Sequence, residues 1–122
     1  MYQTFNPPPG TTLPIIQRLI AVYKLWHGYL PNFPKKSKYT LGNKIDLIFL
    51  ELMGLIYIAL YLPKDQKLPY IKKSIGKLDL IKFFLKISWE IGAMENKHYI
   101  AISSPLDEIG RMLGGWYKQL DR

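Results

Sequence analysis

The sequence predicts an all-α domain, an antiparallel four-helix bundle in up-down-up-down order. Four segments place apolar residues at alternating spacings of three and four, which is typical of helices in left-handed bundles. Short stretches with proline, glycine or asparagine separate them, and short connections favour antiparallel neighbours. No segment shows the strict alternation of a half-buried strand. Apolar residues make up 48% of the 122 residues, enough for the core of one domain.

A proline-rich stretch precedes the first predicted helix. Residues 1–12 include Pro7-Pro8-Pro9-Gly10, which favours an extended, mobile lead-in, and we expect the bundle domain over residues 13–122. The lead-in has no basic segment followed by an apolar run, so we expect no signal peptide. Pro14 is expected in the first turn of the helix. The apolar stripe of this helix is Ile16, Leu19, Tyr23, Trp26 and Leu30.

The second predicted helix is apolar on two faces. Its main stripe is Leu41, Ile45, Ile48, Leu52, Leu55, Ala59 and Leu62. A surplus set off this stripe is Phe49, Met53, Ile56 and Leu60. One bundle core would not cover both sets, so we expect the surplus to be buried between subunits. Pro31 and Pro34 separate this helix from the first, Ser37 or Thr40 can cap its start, and Pro63 closes it.

The run from Ile45 to Leu62 is long enough to raise the question of a membrane span. Asp46 and Glu51 lie within it, and carboxylates are costly in lipid. The sequence therefore predicts a buried bundle helix without contact to a membrane. Glu51 lies mid-helix among apolar residues, and we expect a structural ion pair there.

The third predicted helix is less regular. Its first stripe is Leu68, Ile71, Ile75 and Leu78, and a second stripe is Leu80, Phe84, Ile87 and Ile91. Lys82 falls where the first stripe would continue. Two apolar faces again indicate two neighbours and burial between subunits. Pro69 is expected in the first turn, and Gly92 is expected to close the helix.

The fourth predicted helix has an unbroken stripe, although it contains a proline. The stripe is Tyr99, Ile102, Leu106, Ile109, Leu113, Trp116 and Leu120, and Asn96 can cap its start. Pro105 either kinks the helix or begins a new one capped by Ser104, and the stripe on both sides favours the kink. Gly110 and Gly114 share one face, and each costs about 1 kcal/mol relative to alanine. We therefore expect a backbone or bulky ring to pack against them.

The residue types that carry catalysis or metal binding are sparse. Without cysteine there are no disulfides, zinc fingers or thiol nucleophiles, and a reducing, cytoplasmic location suits the chain. His27 is expected at the core boundary and His98 in solvent. The segment Gly110 to Gly115 follows no predicted strand and lacks Gly-Lys-Ser/Thr, so it is not a phosphate loop. We expect no catalytic site, no metal and no cofactor.

The net charge of +8 is concentrated in two segments. Residues 31–50 hold four lysines against one aspartate, and residues 64–86 hold seven lysines against two aspartates. This pattern fits either a solvated face or a phosphate-binding surface with salt-sensitive affinity. An acidic protein partner and a membrane surface are further alternatives. The candidate phosphate contacts are Lys35, Lys36, Lys38, Lys44, Lys72, Lys73 and Lys77.

Two motifs resemble a known family. Phe33-Pro34-Lys35-Lys36 followed by Tyr39-Thr40-Leu41-Gly42 is the first, and the run from Glu108 to Trp116 (EIGRMLGGW) is the second and more specific. Over roughly residues 13–120 the chain is similar to the four-helix-bundle proteins related to Avd, the accessory variability determinant of diversity-generating retroelements. The family also includes proteins encoded by intervening sequences of bacterial large-subunit ribosomal RNA genes. Residues 1–12 match neither group.

The resemblance implies more than the residues alone. Family members form ring-like homopentamers of antiparallel four-helix protomers with a basic outer surface. Avd proteins bind the reverse transcriptase and template RNA and support adenine-directed mutagenic copying, while the polymerase performs the chemistry. By position, Gly110, Gly114 and Gly115 would serve helix packing, and Arg111 would lie on a charged surface as a further nucleic-acid contact. Pro105 departs from the helix-favouring residues usual there.

Together these observations predict a non-catalytic accessory protein with three kinds of partner. The partners are RNA (or DNA, or an RNA/DNA hybrid), a reverse transcriptase, and further copies of the chain in a pentamer. The alternatives are a bundle of the ribosomal intervening-sequence type and a protein-interaction scaffold with no direct nucleic-acid role. The sequence leaves the choice between the retroelement and ribosomal roles open.

Overall fold

The computed structural model describes the backbone of residues 12–122 and the side chains of residues 14–122. This part contains helices and no strands. The long helices are α1 (Thr12–Tyr29), α3 (Asn43–Tyr61), α4 (Lys64–Glu90) and α5 (Asn96–Leu120). Between α1 and α3 lie a 3₁₀ turn (Leu30–Asn32), the one-turn helix α2 (Lys35–Ser37) and a π-helical segment (Lys38–Gly42). The predicted lead-in lies, except for Thr12, outside the described residues.

The four long helices enclose one apolar core. α3 packs against α1 and α4, and α5 packs against α4 and α1, so each helix has two neighbours. At one end of the core the buried Trp26 indole packs edge-on against Phe33 and stacks on Phe49, with ring centroids 5.6 and 5.8 Å away. The described residues therefore form the predicted all-helical bundle. None of the described helices is both long enough and apolar enough to cross a bilayer.

The buried stripe of α1 differs from the predicted stripe by one residue at two positions, where Ile15 and Val22 replace Ile16 and Tyr23. Leu19 and Trp26 are buried as predicted, but Ile16, Tyr23 and Leu30 are only partly buried. The fully buried residues of α1 are Ile15, Leu19, Val22 and Trp26. A helix that contacts two neighbours buries a wider arc than a single stripe, which brings Ile15 and Val22 into the core.

The prediction for the surplus face of α3 is wrong for the same reason, because a helix with two neighbours buries a wide arc of its surface. Phe49, Ile56 and Leu60 are buried within the protomer, and Met53 is partly buried, so these residues are not free for contacts between subunits. They fill the second half of a broad buried arc because α3 lies between α1 and α4. The apolar residues that α3 exposes are Leu47, Leu50, Tyr57, Ile58 and Tyr61.

In α4 the observed stripe contains serines. The buried residues step by three and four along Ile71, Ser74, Leu78, Ile81, Leu85 and Ser88. Ser74 and Ser88 donate hydrogen bonds to the carbonyl oxygens of Tyr70 and Phe84 in their own helix, at 2.7 and 2.8 Å. Ile71 and Leu78 of the predicted first stripe are therefore buried as predicted. The prediction missed the other buried residues of this helix. Within the predicted second stripe, Leu80 and Ile91 are exposed, while Phe84 and Ile87 are partly buried.

The stripe of α5 agrees with the prediction. Ile102, Leu106, Ile109 and Leu113 are buried, and the remaining stripe residues pack partly buried around them. The helix runs through Pro105 without interruption, so the alternative of a new helix capped by Ser104 is wrong. The Ser103 hydroxyl, two residues before the proline, donates to the Tyr99 carbonyl oxygen at 2.7 Å.

Several helix ends differ from their predicted positions. α4 begins at Lys64, so Pro69 lies inside the helix and not in its first turn. Thr40 lies in the π-helical segment and donates to the carbonyl oxygens of Lys36 and Ser37, so it caps no helix start. Ser37 likewise lies within α2 and makes no capping bond. Gly92 ends α4 as predicted, with a φ of +80° that favours glycine.

The predicted cap of the fourth helix is also corrected. Glu95 precedes the first residue of α5, and no side chain caps this end. The Asn96 side chain instead accepts a hydrogen bond from Trp89 Nε1 at 3.0 Å. The Trp89 ring stacks on Tyr99, with centroids 5.0 Å apart and an interplanar angle of 8°. Asn96 therefore ties the end of α4 to the start of α5.

Asp46 joins α1 to the start of α3. Its Oδ1 accepts hydrogen bonds from the Tyr23 hydroxyl at 2.9 Å and from Trp26 Nε1 at 3.0 Å. Burial and the bond to Asp46 raise the pKa of Tyr23 above its usual value. A carboxylate near a helix N-terminus is also favoured by the helix dipole. The aspartate that argued against a membrane span is thus a structural hydrogen-bond acceptor.

We predict that Asp46→Ala destabilises the protein by about 1–3 kcal/mol, because the Trp26 N–H is then buried without an acceptor. Urea unfolding at a fixed protein concentration measures this change. Asp79→Ala is the control, since Asp79 is exposed and makes no ion pair or side-chain hydrogen bond with the described residues. Equal stability of the two variants would contradict a structural role for Asp46.

Candidate nucleic-acid interface

The first basic cluster lies between α1 and α3, and we call it the lysine corner. It consists of Lys35, Lys36, Lys38 and Lys44, with Tyr39 among them. Lys35, Lys36 and Lys44 are exposed, Lys38 is partly exposed, and none of the four makes an ion pair with the described residues. The nearby carboxylate of Asp46 is engaged by Tyr23 and Trp26. No ion pair therefore offsets the positive charge of the corner.

Local backbone geometry holds the corner in place. The π-helical segment widens the chain between α2 and α3, and π-turns of this kind often occur at functional sites. The Asn43 side-chain amide donates to the Tyr39 carbonyl oxygen at 3.3 Å. Gly42 is buried, and a Cβ there would lie 2.7 Å from Leu30 Cδ1. Glycine therefore lets the corner pack closely onto the 3₁₀ turn that follows α1.

The second basic cluster lies on α4. Lys72 and Lys73 are exposed and make no ion pair with the described residues. Lys73 Nζ lies 5.9 Å from the centre of the Tyr70 ring. Lys77 belongs to the same predicted set, but its Nζ is 3.1 Å from Glu51 Oε1. That ion pair confirms the prediction of a partner for Glu51, although both side chains are more than one-third exposed.

The two clusters do not merge into one site. Lys77 lies beside Glu51, and Lys67 lies beside the end of α3. Lys72 lies midway between Lys67 and Lys77 in α4, five residues from each, whereas Lys44 precedes Glu51 by seven residues in α3. With a rise of about 1.5 Å per residue, the clusters are about 18 Å apart along the axis. A bound polymer would have to span this distance to contact both.

Arg111, the remaining candidate contact, is exposed and paired within α5. Its Nη2 lies 2.6 Å from Glu108 Oε1, and this hydrogen bond lowers the pKa of the Glu108 carboxyl. Lys82 is paired in a similar way, with its Nζ 2.8 Å from Asp107 Oδ1. Phosphate would have to displace these carboxylates. Arg111 and Lys77 are therefore weaker candidates than the unpaired lysines.

Lys67 has a structural role that the sequence did not reveal. Its Nζ donates to the carbonyl oxygens of Ala59 and Leu60 at 2.5 and 3.3 Å. These carbonyls belong to the last turn of α3, where a cation is favoured by the helix dipole. Burial lowers the pKa of the Lys67 ammonium. This lysine is thus withdrawn from the charged surface.

An exposed apolar surface covers α3 and α4, and we call it the α3–α4 face. Its members are Leu47, Leu50, Tyr57, Ile58, Tyr61, Leu80 and Phe83. A groove of about 590 Å³ lies between α3 and α4 at this face. Besides Ile58 and Leu80 of the face it is lined by Gly54, Gly76 and Leu55, and by the charged residues Glu51, Lys73 and Lys77. A Cβ at either glycine would have no protein atom within 4 Å. Nothing in the protomer therefore requires glycine at these two mid-helix positions.

The glycines of α5 behave differently from one another. A Cβ at Gly110 would lie 3.4 Å from Leu78 Cδ2, which is ordinary packing contact with α4. Gly114 and Gly115 have no protein atom within 4 Å of the same position. The described residues therefore place neither the predicted backbone nor a bulky ring against these glycines: Gly110 faces the Leu78 side chain, and no atom lies within 4 Å of the Cβ position at Gly114.

The histidines lie apart from the basic clusters. His98 was expected in solvent, but its ring stacks on Tyr29 at a centroid distance of 4.0 Å, and only 17% of its side chain is exposed. His98 Nδ1 also lies 3.9 Å from Glu95 Oε1. His27 is exposed, with its ring 6.0 Å from that of Tyr23. Among residues 14–122, no three His, Asp or Glu side chains are grouped so that they could hold a metal.

Comparison with known proteins identifies one family. The bAvd-like family model matches residues 13–120, which include every helix of the bundle and both basic clusters. No curated protein matches the chain.

Proposed function

Since this chain belongs to the bAvd-like family, as its motifs suggested, we propose that it is an RNA-binding accessory protein of a reverse transcriptase. In this proposal the protein supports mutagenic reverse transcription in the cytoplasm and contributes no catalytic residues. The polymerase performs the chemistry. The family match supports an accessory role of the Avd type.

The observation that carries the RNA-binding proposal is a set of unpaired lysines in two exposed clusters. Where an ion pair exists, as at Lys77 and Arg111, phosphate must compete with a carboxylate. Where none exists, a lysine exchanges only water and counterions for phosphate, so contact is less costly. The unpaired set is Lys35, Lys36, Lys38, Lys44, Lys72 and Lys73.

We also propose that the bundle is antiparallel, in up-down-up-down order. The contacts of α4 with α3 support this direction, because Lys67 lies beside Ala59 whereas the later Lys77 lies beside the earlier Glu51. The contacts of α4 with α5 agree, since Lys82 pairs with Asp107 and the later Trp89 stacks on the earlier Tyr99.

We also propose that the protein assembles into a ring-like homopentamer, as the resemblance implies, and that the α3–α4 face contacts another copy of the chain. The face exposes seven large apolar side chains on two neighbouring helices of a single protomer, and extended exposed apolar surface marks interaction sites. The groove beside Gly54 and Gly76 leaves room for side chains of another chain, whereas alanine would favour each helix by about 1 kcal/mol. We therefore still propose a contact between copies on the second and third predicted helices, α3 and α4, but through residues other than those predicted.

The same face supports a second candidate function, a protein-interaction scaffold without nucleic-acid contact. An RNA-binding protein loses its partners when nuclease removes the RNA that bridges them, whereas a scaffold retains them. A pull-down with and without nuclease separates the two functions. A bundle of the ribosomal intervening-sequence type remains a third alternative, and a neighbouring reverse-transcriptase gene would favour the retroelement role.

We predict salt-dependent binding of structured RNA that depends on the unpaired lysines. If all six engage phosphates, affinity falls about 10³-fold between 50 and 200 mM salt. Lys72→Glu with Lys73→Glu should weaken binding about 10- to 100-fold at 100 mM salt and reduce the salt slope by about two. Fluorescence anisotropy over a salt series measures both effects. Because Lys73 also lines the groove at the α3–α4 face, the variant is compared only after size exclusion has shown that it keeps the wild-type mass.

The control for this experiment is Lys24→Glu with Lys118→Glu. Both lysines are exposed, lie outside the two clusters and give the same change in net charge. We expect their loss to have a much smaller effect on affinity. RNA binding that is insensitive to salt, or equal losses in the two double variants, would contradict contact through the proposed clusters.

We predict that Phe83→Asp dissociates the assembly while the protomer stays folded. Phe83 is 56% exposed on the α3–α4 face, so a carboxylate there disturbs a contact between chains more than the protomer core. Light scattering after size exclusion should give five times the protomer mass of 14.2 kDa for the wild type and a smaller mass for the variant.

Ile100→Asp is the matched control for assembly. Ile100 is 61% exposed on α5 and lies outside the α3–α4 face, and we expect this variant to keep the wild-type mass. A wild-type protein with the mass of one protomer would refute the ring. Dissociation by both variants would show that the α3–α4 face is not the specific contact surface.

A further inference from the structure

Tyr39 is an exposed aromatic residue in the middle of the lysine corner. Its side chain is 60% exposed, and its ring contacts no other aromatic ring of the described residues. The ammonium of Lys38 lies near the ring, with its Nζ 5.8 Å from the ring centre. Its hydroxyl makes no hydrogen bond with the described residues. Neither core packing nor a polar contact therefore accounts for this side chain.

Other exposed tyrosines have different surroundings. Tyr57 and Tyr61 lie on the α3–α4 face, with their ring centroids 5.0 Å apart. Tyr70 is partly buried beneath Lys73. Tyr39 alone among residues 14–122 combines an uncovered ring with several unpaired lysines on its own segment. An aromatic ring within a positive surface is the combination that binds single-stranded nucleic acid.

The lysines lie on both sides of the ring along the helix axis. Lys35 and Lys36 precede Tyr39 by four and three residues, and Lys44 follows it by five. With a helical rise of about 1.5 Å per residue, these distances are about 5–8 Å in each direction. Cations placed before and after the ring can contact the phosphates that flank one stacked base. The hydrogen bond that the Asn43 side-chain amide donates to the Tyr39 carbonyl oxygen helps to fix the backbone that carries the ring.

We propose that the lysine corner binds an unpaired segment of nucleic acid, with a base stacked on Tyr39 and its flanking phosphates on Lys35, Lys36, Lys38 and Lys44. This inference rests on the proposed RNA-binding function and specifies its ligand as unpaired nucleotides. Stacking within a duplex covers both faces of each internal base, so a duplex offers the ring a free face only at its two ends. A loop or single strand offers free faces along its length, and stacking tolerates any base because each has a π-face.

The experiment compares Tyr39→Ala and Tyr39→Phe on two probes at one salt concentration. The probes are a fluorescent oligouridylate and a fully paired RNA duplex with the same number of phosphates. Stacking contributes about 1–3 kcal/mol per base, so Tyr39→Ala should lose about 5- to 150-fold on the single strand and less than about twofold on the duplex. Tyr39→Phe keeps the ring and should bind the single strand like the wild type.

Each outcome decides between the inference and its competitors. Wild-type affinity in Tyr39→Ala, or equal losses in the alanine and phenylalanine variants, would overturn stacking on this ring. A similar loss on both probes would overturn the specificity for unpaired nucleotides. If the wild type binds neither of the two probes and no structured RNA, the proposed RNA-binding function itself is wrong, whatever the role of Tyr39. Size exclusion of each variant shows whether its assembly matches that of the wild type.

Discussion

The hydrogen bonds that Tyr23 and Trp26 donate to Asp46 are the interaction on which the charged surface depends. They anchor the first turn of α3 against α1 and satisfy a buried indole N–H. The same bonds engage the carboxylate that is nearest in sequence to the lysine corner, whose lysines make no ion pair with the described residues. One contact between two helices therefore stabilises the core and leaves positive charge available at the surface.

Hydrophobic spacing alone predicted α5 well because apolar residues fill its whole stripe. It failed in α4, where Ser74 and Ser88 occupy core positions and interrupt the apolar pattern. A serine can enter a helix interface because its hydroxyl bonds to a carbonyl of its own helix and leaves no donor unsatisfied. The small side chain also lets a neighbour pack closely. Ile81 and Leu85 were missed because the stripe that contains them cannot be recognised from apolar residues alone.

The two basic clusters could be located from the sequence, since charge is a property of composition. The sequence could not show which lysines are unpaired, because the contacts that engage Lys67 and Lys77 join residues on different helices. Lys77 and Glu51 are 26 residues apart, and Lys67 meets the end of α3 across a turn. The exposed face of α3 was misassigned for a related reason. Adjacent side chains on a helix point in directions about 100° apart. A small error in placing the buried arc therefore interchanges the buried Phe49 with the exposed Leu50.

The division of α3 between two surfaces has a consequence for affinity. The lysine corner continues into its first turn, while the α3–α4 face occupies its remaining length. If that face joins copies of the chain, every added protomer also adds a lysine corner at a fixed place in the assembly. A single corner with one stacking ring and four lysines would bind weakly at physiological salt. Repeated corners on one ring act as linked sites, and an RNA with several unpaired segments then gains affinity through effective concentration without any new kind of contact. The apolar face is therefore a part of the proposed RNA-binding mechanism, even though it contacts no phosphate.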